Sequence, residues 1–178
     1  MSKQSLEDVI GEKVNSYRAP AFTITPHTSW ALEILAEEGF EYDSSIFPAK
    51  RSFGGFNLDL TEPAELVNKN YRMREFPVNF KELGGKRLMY CGGGYFRFVP
   101  FPLIDHWMKA TDYNMAYFHI RDFDAQQKAV LSLRYFKSYY GIKGAFSKFE
   151  RLLEEHRFIS LRQAIERVNW EKSKFLIS

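Results

Sequence analysis

The clearest pattern of apolar and polar residues lies between Tyr17 and Asp43, where two short apolar segments flank a stretch with helical spacing. Pro26 suits the first helical position, and Gly39 suits the residue that follows the last turn. Between these two residues runs an apolar stripe that consists of Trp30, Ala31, Ile34 and Leu35. The pattern therefore predicts strand, helix and strand in that order, a unit that favours parallel strands joined by a right-handed crossover.

Three polar residues come at the ends of apolar runs that are typical of strands. Arg18 follows the first predicted strand, Asp43 ends the second, and His119 comes at the end of the apolar run 114–120. Because α/β proteins usually build ligand sites at strand ends, these three residues are the first candidates for a functional site.

The remaining pattern adds short elements and one long connection. Residues 49–70 are rich in glycine, asparagine, proline and charge, which predicts a long surface loop. The other predicted elements are helices over 5–13, 101–110 and 146–156, a last helix that begins after Ser160, and strands over 72–80 and 114–120. This alternation predicts an α/β fold, and the length of 178 residues predicts a single domain over 1–178.

Composition argues against several classes of function. The formal net charge is +3 and the basic residues are scattered, so we expect no nucleic-acid partner. The single cysteine, Cys91, excludes an internal disulfide and a cysteine-based zinc site within one chain. The polar N-terminus is not typical of a signal peptide, and no apolar stretch has the roughly 18 residues that span a bilayer. We therefore expect a cytoplasmic protein without a membrane segment.

Each of the three strand-end residues allows a chemical and a structural interpretation. His119 can act as an acid or a base near neutral pH, or it can be a buried histidine with one hydrogen bond. Arg18 can clamp a carboxylate with its planar guanidinium, or it can form a structural ion pair. Asp43 can support a catalytic group, or the sequence Asp-Ser-Ser can form a turn.

A glycine run over 92–94 precedes Tyr95 and Phe96. It lacks the spacing of a dinucleotide fingerprint and the lysine of a P-loop, so a close approach of the backbone to a ligand or a strand is favoured over phosphate binding. The four histidines form no pair with the spacing that places two metal ligands on one helical face. We therefore expect no metal ligands within this chain.

Several short segments occur in an order that is shared with a known family. They are Arg18-Ala19-Pro20, the stretch 30–48 with Asp43-Ser44-Ser45 near its end, Glu75-Phe76-Pro77, the glycine run with Tyr95 and Phe96, Phe118-His119, and the closing segment 158–162. In this order they resemble the polysaccharide deacetylase family (carbohydrate esterase family 4-like), in a subfamily associated with exopolysaccharide loci. The likeness extends from about residue 5 to about residue 168.

The resemblance implies a partial, distorted (β/α) barrel that lacks its first strands, and a metal-assisted hydrolysis of N-acetyl groups on a polysaccharide. It implies that His119 is the general acid, that Arg18 positions the catalytic aspartate, and that Asp43 supports the active-site network. The residues implied to bind substrate are Pro20, Gly94, Tyr95, Phe96 and Tyr117.

The family's earlier motifs have no counterpart among the 17 residues that precede Arg18. Those motifs carry the base aspartate, a metal-binding aspartate and two metal-binding histidines. The chain therefore resembles the C-terminal portion of a catalytic domain, expected to be inactive alone and to use a divalent metal such as zinc only together with the missing motifs. The alternatives are a non-catalytic carbohydrate-binding module and an amidase of the same family that acts on a non-sugar C–N bond. Missing first strands would leave an open sheet edge, which predicts a homo-oligomer that covers it.

Overall fold

The computed structural model describes residues 3–49, 54–56, 58–126 and 139–177. Its α-helices are α1 (Lys3–Ile10), α2 (Trp30–Glu37), α3 (Gly93–Phe98), α4 (Phe101–Lys109), α5 (Ala145–Glu155) and α6 (Leu161–Ile165). Its strands are β1 (Ser16–Tyr17), β2 (Tyr42–Asp43), β3 (Ala64–Val67), β4 (Arg72–Glu75), β5 (Lys81–Leu83), β6 (Lys86–Leu88) and β7 (Lys174–Leu176). The chain divides into two compact units, with residues 1–77 and 169–178 in unit 1 and residues 78–168 in unit 2. The single domain over 1–178 stays a prediction.

Unit 1 is built on a five-stranded sheet with the order β1-β2-β4-β3-β7. Strands β1, β2 and β4 are parallel neighbours, whereas β3 runs antiparallel to β4 and parallel to β7. The predicted strand, helix and strand are confirmed, because α2 lies between the parallel strands β1 and β2. The mixed sheet and its helices confirm the α/β class, and the partial barrel stays a prediction.

The core of unit 1 includes Leu66 and Met73, which pair in register on β3 and β4 and are almost fully buried. Helix α2 adds Leu32, which has no exposed surface. Burying an apolar side chain of this size contributes about 1.5–3 kcal/mol. The predicted apolar stripe on this helix is wrong in part, since Trp30 and Ile34 are exposed. The eight-residue helix points the face that carries Leu32 toward the core instead.

The long surface loop predicted over 49–70 is also wrong in part. Strand β3 lies inside this range, and Phe56 and Leu60 are buried in the core of unit 1. These apolar residues stand singly among polar ones, so they give no periodic signal in the sequence. Residues 50–53 and 57 of this range lie outside the described residues.

In the described residues of unit 2, a β-hairpin is combined with the helices α3, α4, α5 and α6. Strands β5 and β6 pair antiparallel across Gly84 and Gly85, both of which have positive φ angles, as a tight hairpin turn requires. Its core includes Tyr90, Phe96 and Leu152, each at most 1% exposed. Helices α4 and α5 lie close to the predicted ranges, and Ser160 caps α6 as predicted.

The strand predicted over 114–120 is not formed. A single parallel bridge joins Tyr117 to Gly92, and a 3-10 turn begins at Ile120, which is 93% exposed. His119 keeps an extended backbone immediately before that turn, so it still lies at the end of an extended segment. Among the described residues, no helix has the length and the apolar character that crossing a membrane requires.

Candidate functional site

The parallel strands of unit 1 end at a common edge of the sheet. Tyr17 of β1 pairs in register with Asp43 of β2, which pairs in register with Glu75 of β4. Because the three strands run in the same direction, the residues that follow them emerge side by side. The polar residues gathered there form what we call the strand-end cluster: Arg18, Asp43, Ser44, Ser45 and Glu75.

Arg18 is fixed within the strand-end cluster by Ser44. Its Nε donates to the Ser44 carbonyl oxygen at 3.0 Å, and its Nη2 donates to Ser44 Oγ at 2.6 Å. That hydroxyl in turn donates to the Phe76 carbonyl oxygen at 2.6 Å. The guanidinium is therefore held in one orientation while the side chain stays half-buried. This arrangement suits a cation that positions an anionic group, because a charge-assisted hydrogen bond keeps its direction.

Asp43 matches the structural interpretation, in which the sequence Asp-Ser-Ser forms a local hydrogen-bonded turn. It is 1% exposed, and its carboxylate accepts from the Ser45 hydroxyl at 2.6 Å and from the Ser45 backbone N–H at 3.1 Å. Ser45 Oγ also accepts from the Ala19 backbone N–H at 2.7 Å. Through Ser45, the buried Asp43 carboxylate therefore connects the end of β2 to the segment that follows β1.

Glu75 is the member of the strand-end cluster that sequence reasoning missed. It has no exposed surface, and its Oε1 accepts from the Ile46 backbone N–H at 3.0 Å. Burial and the nearby charge of Asp43 raise the pKa of Glu75 well above its ordinary value. The available signal is that Glu75 is an acidic residue within the predicted strand over 72–80, shortly before Pro77.

The backbone beside Arg18 is strained. Pro20 is exposed and begins a 3-10 turn in which Ala21 and Phe22 have φ angles of 56° and 55°. A left-handed conformation costs about 1–3 kcal/mol for each residue other than glycine. Gly54 lies so close that a Cβ atom on it would be 2.6 Å from the Phe22 carbonyl oxygen. The turn that contains Pro20 is therefore held in shape by its surroundings.

A second group of polar residues surrounds His119 in unit 2. The His119 side chain is exposed, so the alternative of a buried histidine is wrong. Its Nε2 lies 2.8 Å from the Tyr117 hydroxyl. Its backbone N–H donates to Asp122 Oδ2 at 2.9 Å, and Asp122 Oδ1 pairs with Arg97 Nη1 at 2.8 Å. The side chains of this ion pair are only 11% and 5% exposed, so a buried pair anchors an exposed imidazole.

The glycine run contacts the segment that carries His119. The Gly93 N–H donates to the Tyr117 carbonyl oxygen at 3.2 Å, and the Tyr117 N–H donates to the Cys91 carbonyl oxygen at 3.1 Å. A Cβ atom on Gly92 would collide with the same Tyr117 oxygen. Close approach of the backbone to another segment is therefore what this glycine run provides.

The predicted substrate-binding residues of unit 2 differ in accessibility. Tyr95 is 45% exposed and Tyr117 and Gly94 are partly buried, so these three reach the surface. Phe96 is 1% exposed and packs edge to face on Phe118, with the ring centroids 4.9 Å apart. This core position does not support the expected contact between Phe96 and a ligand.

Two separate groups therefore hold the predicted catalytic residues. Arg18 and Asp43 are brought together in unit 1 through Ser44 and Ser45. His119 belongs to the group in unit 2.

No group of three or more His, Cys, Asp or Glu side chains among the described residues could hold a metal ion, so these residues do not fit the metal that the resemblance implies. A cleft of about 300 Å³ lies in unit 1, and its lining residues are Ala36, Gly39, Phe40, Glu41, Glu65, Arg72 and Arg74. The cleft contains none of the predicted site residues.

The fold and the polar groups together define a mixed α/β protein with a strand-end cluster and an exposed histidine, His119, whose backbone is anchored by Asp122. The chain matches the family model described as "Domain of unknown function (DUF3473)" over residues 44–166, and it belongs to that family. The matched range contains Tyr117 and His119 and begins directly after Asp43. No curated protein and no solved structure matches the chain.

Proposed function

We propose that this chain carries the later motifs of a polysaccharide deacetylase-like hydrolase, which removes N-acetyl groups from a polysaccharide. The observation that carries the proposal is His119, an exposed imidazole whose backbone is anchored by Asp122 and whose ring meets the Tyr117 hydroxyl. A positioned histidine that reaches solvent suits general acid catalysis near neutral pH. On this proposal His119 gives a proton to the amine that departs from the acetyl group.

Arg18 supplies the second part of the proposal. Its guanidinium is oriented by two hydrogen bonds to Ser44, which suits an arginine that positions an anionic catalytic group. Asp43 and Ser45 hold the segment on which Ser44 lies. The described residues do not provide the ligands of a metal ion, so they are assigned no metal-assisted step. The base and the metal ligands of the resemblance are proposed to come from the family's earlier motifs.

The test is release of acetate from an N-acetylated oligosaccharide with added zinc, using the protein in its full natural length. We expect release by that protein and none by the 178 residues alone. His119→Ala should lower kcat by about 10²- to 10⁴-fold, the usual contribution of a positioned acid. His27→Ala is the matched control, since His27 is also an exposed histidine and should leave the rate unchanged.

Three results would overturn parts of the proposal. Absence of acetate release by the full-length protein would refute the proposed deacetylase activity. An unchanged rate in His119→Ala would show that His119 is not the general acid. Release by the 178 residues alone would show that the later motifs suffice.

An aromatic surface on unit 2 favours a second candidate, a carbohydrate-binding module without catalysis. Phe98 and Tyr140 stack with their rings 5° from parallel and their centroids 4.8 Å apart, and both are more than 40% exposed. Tyr95, also exposed, lies three residues before Phe98 on α3, which places the two on the same side of that helix. Exposed aromatic rings offer flat apolar surface of the kind that sugar rings cover.

Calorimetric titration with the same oligosaccharide separates the two candidates. Binding by the 178 residues that is weakened by Phe98→Ala, without acetate release at full length, would support the module. Phe146→Ala is the control, because Phe146 is another exposed phenylalanine of unit 2 and lies on α5. Equal weakening by both substitutions would argue against a defined aromatic site.

A further inference from the structure

The buried carboxyl groups of Asp43 and Glu75 lie next to each other in the strand-end cluster. The two residues pair in register on the parallel strands β2 and β4, and they are 1% and 0% exposed. Neighbouring strands are about 4.8 Å apart, and residues in register point to the same face of a sheet. The two carboxyl groups therefore lie on the same face of the sheet, close enough for the charge of Asp43 to act on Glu75.

The hydrogen bonds of the pair leave one oxygen without a donor. Asp43 accepts from both the hydroxyl and the backbone N–H of Ser45, whereas Glu75 accepts through Oε1 from the Ile46 N–H. Glu75 Oε2 is buried and has no hydrogen-bond partner. An ionised carboxylate can only accept, so two ionised groups in contact would leave this oxygen unsatisfied, whereas a proton on it would make it a donor to Asp43.

One proton on the pair Asp43 and Glu75 leaves a single negative charge there, which the positive charge of Arg18 balances. Arg18 is the cation whose charge acts on Glu75, and Asp43 is the anion. One positive and two negative charges would leave an uncompensated buried charge, which proteins generally avoid. The proton belongs on Glu75, because Asp43 already receives two donors from Ser45 and Glu75 receives one.

We propose that Asp43 and Glu75 share one proton, carried on Glu75 Oε2, and that Glu75 thereby acts as a positioning residue for Arg18. The shared proton joins the end of β4 to the end of β2. Asp43 then holds Ser45 while the adjacent Ser44 presents its carbonyl oxygen and hydroxyl to Arg18. Removing the proton would place two like charges in contact and would pull apart the segment to which Arg18 is bound. The shared proton does not require the proposed deacetylase activity.

The first test is the pH dependence of stability. Burial and the charge of Asp43 raise the pKa of Glu75 in the folded protein, so the folded state binds the proton more tightly than the unfolded state does. Stability should therefore fall as the pH rises from about 4.3, the ordinary glutamate value, toward the raised value. Within that window the folded-to-unfolded ratio should drop about tenfold per pH unit, measured by urea unfolding.

The substitution that removes the titration is Glu75→Gln. The glutamine amide can donate to Asp43, and its oxygen can accept from the Ile46 N–H, so the contacts survive without a titrating group. We expect this variant to lose the downward slope of stability with pH. Glu41→Gln is the control: Glu41 is exposed beside β2, and its replacement should preserve the slope. Equal slopes in the wild-type protein and Glu75→Gln would overturn the proposal.

Two spectroscopic measurements separate the shared proton from a merely structural role. Difference infrared spectra of the wild-type protein, taken between pH values within the window of falling stability, should show the carbonyl stretch of a protonated carboxylic acid that titrates, and Glu41→Gln should retain it. Its absence from the wild-type spectrum would refute the shared proton, even if Glu75→Gln does not fold. The Arg18 Nε–H signal in nitrogen-15 spectra should shift as this band disappears at higher pH. A band that disappears without any change at Arg18 would refute the positioning role.

Discussion

Replacing Arg97 by methionine tests whether the buried ion pair in unit 2 organises the surroundings of His119. Arg97 Nη1 lies 2.8 Å from Asp122 Oδ1, and the two side chains are 5% and 11% exposed. Arg97→Met removes the charge and the donors while keeping much of the apolar stem. The Asp122 carboxylate then stays buried without its cation.

The magnitude follows from that burial. Breaking a buried ion pair by removing one partner costs about 3–5 kcal/mol, because an uncompensated charge remains. Domains of this kind are usually stable by about 5–15 kcal/mol, so the substitution should lower the urea midpoint severely. Arg157→Met is the control, since Arg157 is exposed and its replacement should change stability by less than about 0.5 kcal/mol.

A double variant gives the result that decides the reasoning. Arg97→Met combined with Asp122→Asn leaves no lone buried charge, so it should be more stable than Arg97→Met alone. The His119 backbone amide should also shift in nitrogen-15 spectra of the single variant, because Asp122 accepts its hydrogen bond. A loss below about 1 kcal/mol in Arg97→Met, or simple addition of the two single effects in the double variant, would refute this account.

Further predictions follow from other contacts. Burial raises the pKa of the Cys91 thiol to about 12, so Cys91 should resist a thiol reagent in the folded protein and react on unfolding; rapid labelling of folded protein would contradict this. Gly92→Ala should cost about 1–3 kcal/mol in chemical unfolding, because the new methyl group would meet the Tyr117 carbonyl oxygen. Gly94→Ala is its control, since the nearest atom lies 3.5 Å away, and equal losses would argue against the collision. The predicted homo-oligomer should appear in light scattering at high concentration, because β1 ends the order of the described sheet, and a monomer would contradict it.

Local signals explain what could be predicted from the sequence. The parallel pair β1 and β2 follows from the apolar segments on both sides of α2, and Gly39 ends that region with a positive φ angle as expected. Ser160 caps α6 through the Gln163 N–H, a contact between residues three positions apart. Such elements are decided within a few residues, so their pattern is visible in the chain itself.

Other features depend on register between distant segments. The burial of Glu75 could not be predicted from its neighbours in the sequence, because it follows from the pairing of β4 with β2; Glu41, by contrast, is exposed. His119 is exposed because a 3-10 turn replaces the end of the predicted strand, and that turn is held by Asp122. The cation that pairs with Asp122 lies on α3, and its position could not be derived from the local pattern.

The position of β7 has a consequence for how the chain folds. This last strand pairs with β3, so unit 1 is completed by residues that follow the whole of unit 2 in the sequence. During synthesis, β3 therefore stays without this partner until residues 174–176 emerge. Bringing β7 to β3 closes a long loop, whose entropic cost grows with the length of flexible chain. Earlier folding of unit 2 would shorten that flexible length, so one unit of the chain is expected to assist the completion of the other.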